Sequence, residues 1–193
     1  MTKAELRAEY RQARRALTEA DIRAKSTALA AQFGTTIPLD DVRVLHTFLP
    51  IRRQGEVDTW VLIHKIWRSY PQIRVVIPKV DEGTVGMMHY ELRPDTPLTT
   101  NRWGGEEPLQ ASGLRLQDSE LDLIVVPLLA YDERGYRVGY GKGYYDRFLA
   151  ECRPDVRKIG VSFFEPVPQI LDVDEFDVRL DACVMPEKVV SFR

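Results

Sequence analysis

The chain reads Leu121-Asp-Leu-Ile-Val-Val-Pro-Leu-Leu129 and, after five intervening residues, Gly135-Tyr-Arg-Val-Gly-Tyr-Gly-Lys-Gly-Tyr-Tyr-Asp146. The first stretch is a short apolar run typical of a buried strand, and the residues from Tyr144 to Cys152 predict a helix. Glycine permits positive φ and a close approach of the backbone to a ligand. A helix start supplies unpaired N–H groups and the positive end of a dipole. A strand, a Gly/Lys loop and a helix in this order indicate a phosphate-binding site.

The spacing of this loop fits neither of the two standard phosphate-binding motifs. The P-loop reads G-x-x-x-x-G-K and then Ser or Thr, whereas Lys142 is followed by Gly143, so no hydroxyl stands next in line for Mg²⁺. The dinucleotide fingerprint G-x-G-x-x-G also fails, because the glycines fall at 139, 141 and 143. The residues favour phosphate or nucleotide binding, and a flexible hairpin without a ligand is the alternative.

Predicted strands alternate with predicted helices along the chain. We expect helices over 3–17, 18–33, 60–70 and 144–152, strands over 42–49, 73–80, 121–129, 158–164 and 182–185, a hairpin-like segment over 85–92, and irregular structure over 93–118. This order indicates one three-layer α/β/α domain, residues 1–193, with a largely parallel sheet. Ligands bind at the carboxyl ends of such strands. Glu56 and Lys142 would therefore face one cleft if strands 42–49 and 121–129 are neighbours.

The composition is that of an ordinary soluble protein of 193 residues, with 44% hydrophobic and 29% charged residues. The formal net charge of −2 gives no electrostatic case for nucleic acid. No apolar run approaches the roughly 20 residues that cross a membrane, and the polar N-terminus lacks the apolar part of a signal peptide. The two cysteines and three histidines have no metal-ligand spacing. We expect a reduced, cytoplasmic monomer without membrane or nucleic-acid partners.

The N-terminal helix carries a group of basic residues, Arg7, Arg11, Arg14 and Arg15, largely on one side. Such a group is either a solvated helix face or an anion-binding face, and the sequence alone does not choose between them. On another predicted helix, Asp58 or Thr59 is the expected N-cap. Glu56 stands just outside that cap, so its carboxylate is available to accept hydrogen bonds from an amide- or amine-rich ligand.

Two further features bear on ligand binding. Trp103 lies in the loop Trp103-Gly-Gly-Glu-Glu-Pro108, where it either anchors a turn or forms a wall for a flat heterocycle. Asp146 falls in the first turn of its helix, where a carboxylate complements the helix dipole and is also placed to hold Mg²⁺ beside a triphosphate. Asp177 and Asp181 offer a second carboxylate, and the sequence leaves the choice between them open.

Together these segments resemble the 5-formyltetrahydrofolate cyclo-ligase family, also called methenyltetrahydrofolate synthetases, over nearly the whole chain. The glycine segment, continued to Leu149, is the most specific marker, whereas Glu56-Val-Asp-Thr59 alone would be weak. The other markers are Lys3–Arg7, Trp103 with Glu107-Pro108, Asp122–Pro127 and Asp177–Asp181.

The resemblance implies ATP-dependent cyclisation of 5-formyltetrahydrofolate to 5,10-methenyltetrahydrofolate, with ADP and phosphate released and Mg²⁺ required. It also implies a fold similar to the sugar-phosphate isomerase and CoA-transferase group. Carried over position by position, the catalytic residues would be Lys142 and Arg137. The ATP site would comprise Lys3, Arg7, Arg137, Gly139, Gly141, Lys142 and Gly143, the folate site Glu56, Trp103, Tyr140, Tyr144 and Tyr145, and the metal site Asp146 and Asp177.

The chain departs from the family pattern in two places. Tyr140 stands where many members have Arg, so one phosphate contact is lost or supplied elsewhere. The loop after Trp103 reads Gly104-Gly105-Glu106, where Gly-Ile-Pro is more usual. Two other functions are alternatives. A non-catalytic nucleotide- or RNA-binding relative would have lost Lys142, Asp146 or Glu56, and a sugar-phosphate isomerase would need a general base for which the chain offers no specific candidate.

Overall fold

The computed structural model describes residues 1–80, 86–109 and 114–192. Within them the helices are α1 (Lys3–Arg15), α2 (Glu19–Thr36), α3 (Thr59–Ser69) and α4 (Tyr144–Glu151). The strands are β1 (Val44–His46), β2 (Arg74–Val80), β3 (Met87–Glu91), β4 (Leu98–Thr100), β5 (Glu106–Pro108), β6 (Arg115–Leu116), β7 (Leu123–Pro127), β8 (Ala130–Tyr131), β9 (Arg137–Val138), β10 (Arg157–Val161), β11 (Ala182–Val184) and β12 (Val189–Ser191).

The helices begin where capping chemistry predicts. Thr18 and Asp21 form a capping box at the start of α2, as the sequence predicts, and the Asp58 side chain accepts a hydrogen bond from the Trp60 N–H at the start of α3. Asp58, rather than Thr59, is therefore the N-cap. These local bonds satisfy backbone donors that have no partner inside the helix.

Eight of the described strands form one sheet in the order β12-β11-β10-β7-β1-β2-β3-β6. The five central strands, from β11 to β2, are parallel to their neighbours. At the two ends, β12 runs antiparallel to β11, and β3 runs antiparallel to β2. Helices α2 and α3 pack on one face through residues such as Phe33 and Ile66, and α4 packs on the other through Phe148 and Leu149. The predicted α/β/α architecture is confirmed.

One predicted strand is shorter in the structure, and several short strands were not predicted. The predicted strand 42–49 is shorter in the structure, where β1 covers Val44–His46 and one backbone hydrogen bond to β2 follows at each end, from Arg74 to Arg43 and from Thr47 to Val76. The chain then leaves the sheet, and Phe48 and Leu49 line the cleft described below. The segment 93–118, predicted to be irregular, contains the antiparallel ribbon of β4 and β5 and the short strand β6. The ribbon of β8 and β9 and the last strand, β12, were not predicted. Two- and three-residue strands are too short to produce a periodic pattern. Val85, the first residue of the predicted hairpin, lies outside the described residues.

The sheet has a switch point between β1 and β7. From β1 the chain continues through α3 to β2 on one side, whereas from β7 it continues through α4 to β10 on the other. The connections that follow β1 and β7 therefore diverge and leave a crevice at the carboxyl ends of these two strands. Helix α1 packs beside this crevice, where Leu6 contacts a small buried cluster with Ala130, Val138 and Ile170.

Candidate functional site

A cleft of about 1250 Å³ opens at the switch point. Glu56, which follows β1, and Lys142, which follows β7, both line it. Because β1 and β7 are directly paired in the sheet, the expectation that these two residues face one cleft is confirmed. A cleft of this size at this position is the default ligand site of an open α/β sheet.

A buried carboxylate holds the start of the glycine segment. Asp132 is fully buried between β8 and β9, and its Oδ1 accepts the backbone N–H groups of Arg134 and Tyr136, each at 3.0 Å. Its Oδ2 accepts the N–H of Ile170 at 3.1 Å and the Arg134 guanidinium at 2.8 Å. These bonds join the ribbon to the loop before β11. Asp132 thus fixes the direction in which the glycine segment enters the cleft.

The backbone of the glycine loop requires glycine at two positions beside the cleft. Gly141 has φ +88°, and Gly143 has φ +67° as the residue before α4. A Cβ atom at Gly141 would lie 3.3 Å from Nε of Arg7, which already donates to the Gly139 carbonyl at 3.0 Å. The loop therefore lies against α1, and the first residues of α4, Tyr144 to Asp146, line the same cleft as Arg7.

Lys142 stands between these two glycines. It is exposed and lines the cleft. Its backbone carbonyl accepts a hydrogen bond from the Arg147 guanidinium at 2.8 Å, which steadies the loop independently of the lysine side chain. Lys142 is therefore a positively charged side chain that lines the cleft from a loop whose backbone is held by Arg147.

Arg137 and Asp146 form an ion pair at the base of the loop. The Arg137 guanidinium is nearly buried and donates to Asp146 Oδ1 at 2.7 Å and to the Val178 carbonyl at 2.5 Å. The same Asp146 oxygen accepts the Val178 N–H at 3.3 Å. In this arrangement Arg137 orients a carboxylate that lines the cleft, a role that the sequence prediction of a direct phosphate contact did not include.

Lys3, at the start of α1, pairs with carboxylates from the C-terminal part of the chain. Its Nζ lies 2.5 Å from Asp177 and 3.0 Å from Asp174, and its backbone N–H donates to Asp172 at 2.6 Å. Burial acts to lower the pKa of Lys3, but the two carboxylates outweigh it and raise that pKa. Lys3, Asp174 and Asp177 all line the cleft. The predicted ATP contact and the predicted metal ligand are therefore paired with each other.

The alternative carboxylate, Asp181, lies elsewhere. Its Oδ2 accepts the backbone N–H of Lys158 at 2.8 Å and lies 3.3 Å from Lys158 Nζ. Lys158 is near the amino end of β10, at the edge of the sheet opposite the cleft. Of the two carboxylates that the sequence left open, Asp177 is the one beside Asp146 in the cleft lining.

The basic face of α1 divides in two. Arg7, Arg11 and Arg15 line the cleft, whereas Arg14 is buried beneath it. Arg14 shares the side of α1 that faces the glycine segment, since Arg7 donates to the Gly139 carbonyl and Arg14 donates to the Tyr140 hydroxyl at 2.7 Å. It differs from the others in being buried, and its guanidinium also donates to the Leu128 carbonyl. A run of arginines does not reveal which member is buried, so no sequence signal identifies Arg14.

Glu56 is buried at the end of the loop that follows β1. Its Oε2 accepts the Ile51 N–H at 2.6 Å, and its Oε1 accepts the Tyr140 hydroxyl. Burial raises the pKa of the Glu56 carboxyl, while these hydrogen bonds and the positive charge of Arg14 act in the opposite direction. Tyr140 thus turns toward Glu56 rather than toward the cations of the loop.

Trp103 lies on the same side of the cleft as Glu56. The ring is half-buried, and the Arg102 guanidinium stacks 4.4 Å from its centroid. The two glycines that follow have a local reason: Gly104 has φ +79°, and at Gly105, which departs from the family pattern, a Cβ would lie 3.0 Å from the Ile51 side chain. This loop therefore packs directly on the segment that leads to Glu56.

The paired tyrosines of α4 occupy different environments. Tyr144 lies beneath Arg147, whose guanidinium carbon is 5.6 Å from the ring centroid. The Tyr145 hydroxyl is buried without a hydrogen-bond partner in the described part of the chain, and burial raises its pKa. Both tyrosines line the cleft. An unpaired buried hydroxyl at a cleft wall is a candidate ligand contact, because leaving it unsatisfied is unfavourable.

The apolar wall of the cleft was not predicted. Phe48, Leu49 and Ile51 line it from the segment after β1, together with Pro78 at β2. Phe176 adds a side chain that is 75% exposed, next to Asp177. The first three belonged to a predicted strand or its loop, where apolar residues are expected in the core, so their exposure to a cleft could not be inferred from the sequence.

The acidic residues fit a magnesium ion that also binds a nucleotide. Among the described residues no group of three or more His, Cys, Asp or Glu side chains is arranged to hold a metal ion. Magnesium usually takes one or two carboxylates and completes its octahedron with phosphates and water. Asp146 and Asp177 supply two hard oxygen donors on the cleft lining, so the residues present match that donor set.

Comparisons with known proteins give one consistent result. A family model described as the 5-formyltetrahydrofolate cyclo-ligase family matches residues 1–186. A 5-formyltetrahydrofolate cyclo-ligase of Escherichia coli K12 is 33% identical over 181 residues, which cover 93% of this chain and 97% of that protein. A mouse protein of the same name is 26% identical and covers 96% of this chain and 94% of its own.

Solved structures agree with the sequence comparisons. The solution structure of a 5,10-methenyltetrahydrofolate synthetase from Aquifex aeolicus superposes with a TM-score of 0.82 at 29% identity, covering 100% of this chain and 94% of that chain. A synthetase of the same name from Mycoplasma pneumoniae gives 0.76 at 23% identity, covering 96% and 99%, which shows a shared fold. Within the described ranges, no helix combines the length and the apolar character needed to cross a membrane.

Proposed function

The chain belongs to the 5-formyltetrahydrofolate cyclo-ligase family, and we propose that it catalyses the ATP-dependent cyclisation of 5-formyltetrahydrofolate to 5,10-methenyltetrahydrofolate. The products would be 5,10-methenyltetrahydrofolate, ADP and phosphate. Membership of the family confirms the resemblance found in the sequence. It favours a catalytic function over that of a non-catalytic nucleotide- or RNA-binding relative. The relatives are named as enzymes, and the match extends over nearly their whole length.

One observation carries the proposal. The switch point joins a cationic wall and a carboxylate wall in a single cleft, with Lys3, Arg7 and Lys142 lining one part and Glu56 and Trp103 lining another. A phosphorylated nucleotide requires the first kind of wall, and a flat heterocycle rich in N–H donors requires the second. Their presence in one cleft suits a reaction that brings these two molecules together.

We place the ATP phosphates against the glycine loop. Gly139, Gly141 and Gly143 let the backbone approach the phosphate chain, and Lys142 supplies a positive charge from the braced loop. Arg7 contacts the same loop from α1. Lys3 would contribute after exchanging its carboxylate partners for phosphate oxygens. These cations neutralise the charge that develops during phosphoryl transfer.

Asp146 and Asp177 would hold Mg²⁺ at this end of the cleft. There it would neutralise charge on the phosphate oxygens of the nucleotide. Arg137 contributes through Asp146, because its two hydrogen bonds fix the carboxylate against the backbone at Val178. Use of ATP follows from the family, and the magnesium site is our proposal.

The folate would occupy the other part of the cleft. Glu56 accepts hydrogen bonds from the amino-substituted pyrimidine ring, and Trp103 covers the flat face of the ring system. Tyr144 and Tyr145 line the region between this ring and the glycine loop, and the Tyr145 hydroxyl has a hydrogen bond still to make. The apolar side chains after β1 exclude water from the reacting groups.

The chemistry then needs positioning rather than a protein nucleophile. The formyl oxygen attacks the terminal phosphorus of ATP, the bond from that phosphorus to ADP breaks, and ADP leaves. The second folate nitrogen attacks the activated carbon and a C–N bond forms, that nitrogen gives up its proton to water, and the C–O bond breaks to release phosphate. Lys142 touches the transferred group in this scheme and stabilises its charge. A catalytic triad is not required, which agrees with the side chains that line the cleft.

The free cysteines bear on the compartment in which the protein works. The free thiols are half-buried at Cys152 and fully buried at Cys183, and burial raises the pKa of both, so neither is a reactive nucleophile. We propose a cytoplasmic enzyme that acts on small molecules. The expectation of a monomer stays a prediction, which analytical ultracentrifugation can test.

The test is direct. Protein is mixed with 5-formyltetrahydrofolate and MgATP, and the absorbance band of the methenyl product is followed with time. We expect absorbance to grow only when both substrates are present, with one ADP formed for each methenyl product. Folded protein that gives no absorbance change and no ADP would overturn the proposal.

A further inference from the structure

Arg14 occupies an unusual position for a surface helix. It lies in the last turn of α1 and is only 5% exposed, whereas its neighbours in the basic run face the cleft or solvent. A buried guanidinium is unfavourable unless its charge and its N–H groups are compensated. What compensates Arg14 therefore bears on what it does.

The compensation comes from the folate part of the cleft. One Arg14 nitrogen donates to the Tyr140 hydroxyl at 2.7 Å, and the other donates to the Leu128 carbonyl. The helix end is also packed against the residue before Glu56, since a Cβ at Gly55 would lie 3.1 Å from the Arg14 carbonyl oxygen. In the described part of the chain, Arg14 has no direct ion pair with a carboxylate, and it reaches Glu56 through the tyrosine.

The direction of the hydrogen bonds follows from their chemistry. A guanidinium can only donate, so the Tyr140 hydroxyl accepts from Arg14 and directs its single proton to Glu56 Oε1. The Ile51 N–H donates to the other oxygen at 2.6 Å. Both Glu56 oxygens therefore accept hydrogen bonds, which suits the ionised carboxylate, and Arg14 fixes which way the tyrosine proton points.

The charge balance at Glu56 depends on the same contact. Burial raises the pKa of Glu56, and the opposing influences are the Ile51 N–H, the Tyr140 hydroxyl and the Arg14 charge. Tyr145 on α4 also senses the Glu56 charge, since that charge adds to the burial that raises the tyrosine pKa. Among these groups on the surrounding elements, Arg14 is the one that carries a positive charge. Its loss would therefore raise the pKa of Glu56, because less would oppose the effect of burial.

We propose that Arg14 is a positioning residue for the cyclo-ligase reaction, which acts through the Tyr140 hydroxyl to hold the Glu56 carboxylate as an anionic acceptor for the folate pyrimidine ring. This inference rests on the proposed function, in which Glu56 binds that ring. An amino-substituted pyrimidine with a ring N–H presents donors to the carboxylate, and only the ionised form accepts them without offering a competing proton. Arg14 itself touches neither folate nor ATP.

The experiment compares R14M, R14K and Y140F with the unaltered protein. Methionine keeps much of the apolar stem but removes the charge, lysine keeps the charge, and phenylalanine removes the connecting hydroxyl. Initial rates are measured at varied folate and saturating MgATP between about pH 5.5 and 8.5, where a carboxylate with a raised pKa is detected. Folate binding without ATP is followed by quenching of tryptophan fluorescence at the same pH values.

We expect R14M to raise the KM for folate about tenfold while kcat and the KM for MgATP change less than about threefold. Because R14M raises the pKa of Glu56, the fall of kcat/KM for folate at low pH should begin about one pH unit higher. R14K should remain within about threefold of the unaltered protein. Y140F should resemble R14M in its KM for folate, and the double variant should be no worse than either single variant.

An unchanged KM and pH profile in folded R14M, or an equal loss in R14M and R14K that merely follows melting temperature, would overturn the inference. If R14M does not fold, Y140F carries the test, and an unchanged folate affinity in Y140F would overturn it as well. A failure of the proposed function looks different: the unaltered protein then forms no methenyl product. The fluorescence measurement still reports whether Arg14 controls the pH dependence of folate binding in that case.

Discussion

Replacing Lys142 with alanine should abolish most of the turnover and leave the fold intact. The side chain is exposed in the cleft, and the loop backbone on either side is held by contacts that do not involve it. The Arg147 guanidinium binds the Lys142 carbonyl at 2.8 Å, and this bond survives the substitution. The expected damage is therefore confined to the charge that faces the ATP phosphates.

The magnitudes follow from that geometry. Removing one preorganised group that stabilises charge in a transition state costs about 2.7–4 kcal/mol, which corresponds to a rate loss of about 10²–10³-fold. Removing an exposed side chain without a buried contact changes the free energy of unfolding by about 0.5 kcal/mol or less. In a domain of this size such a change moves the melting temperature by about 1–2 °C. Rate and stability should thus respond very differently.

The assay uses initial rates of methenyl formation at saturating folate and varied MgATP, with a thermal melt of each variant. K142R is the first control, because it keeps the positive charge and should retain more activity than K142A. R23A is the second, because Arg23 is an exposed cation on α2 that does not line the cleft, and its loss should leave the rate unchanged. Together they separate a local phosphate contact from a general effect of net charge.

Two results would refute this reasoning. A melting temperature that falls by about 5 °C or more, with a proportionate rate loss, would show that Lys142 supports the loop structurally. A K142A rate within about threefold of the unaltered protein would show that the lysine does not contact the transferred phosphoryl group.

Two further predictions concern the acidic wall and the core. D177N should raise the KM for MgATP at least tenfold, whereas D174N should change it less than about threefold. The reason is that Asp177 is proposed to hold Mg²⁺, whereas Asp174 is a more exposed partner of Lys3. Initial rates at varied MgATP with magnesium in excess measure both KM values, and equal effects of the two substitutions would contradict the assignment of Asp177. Burial, and next the nearby His89, hold the pKa of His46 well below its usual value. The unfolded chain therefore binds a proton below about pH 6.5 that the folded protein excludes, and the free energy of unfolding falls by up to about 1.4 kcal/mol per pH unit as the pH drops. H46F should flatten this dependence in urea unfolding at about pH 7 and 5, and an unchanged slope would show that His46 does not cause it.

Local signals in the sequence predicted the elements that carry the site. Thr18 and Asp21 marked the start of α2, Asp58 capped α3, and the glycine loop was placed correctly between β7 and α4. Capping and glycine conformations depend on residues within one helical turn, so they can be read along the chain. Short strands such as β8 and β9 were not predicted, because two residues form no periodic sequence pattern and each strand is defined by its pairing with the other.

The amino-acid sequence is sufficient to predict the α/β architecture, the family and the kinds of side chain in the site. Which of these side chains contact each other depends on the fold. Lys3 pairs with Asp177 near the other end of the chain, and the Tyr140 hydroxyl donates to Glu56, 84 residues away. Arg14 is buried beside them, where it donates to the Tyr140 hydroxyl. Burial and long-range pairing depend on how the sheet brings distant loops to one edge. The physical reason is that a charge shows its type in the sequence, but its partner and its exposure to water exist only in the folded chain.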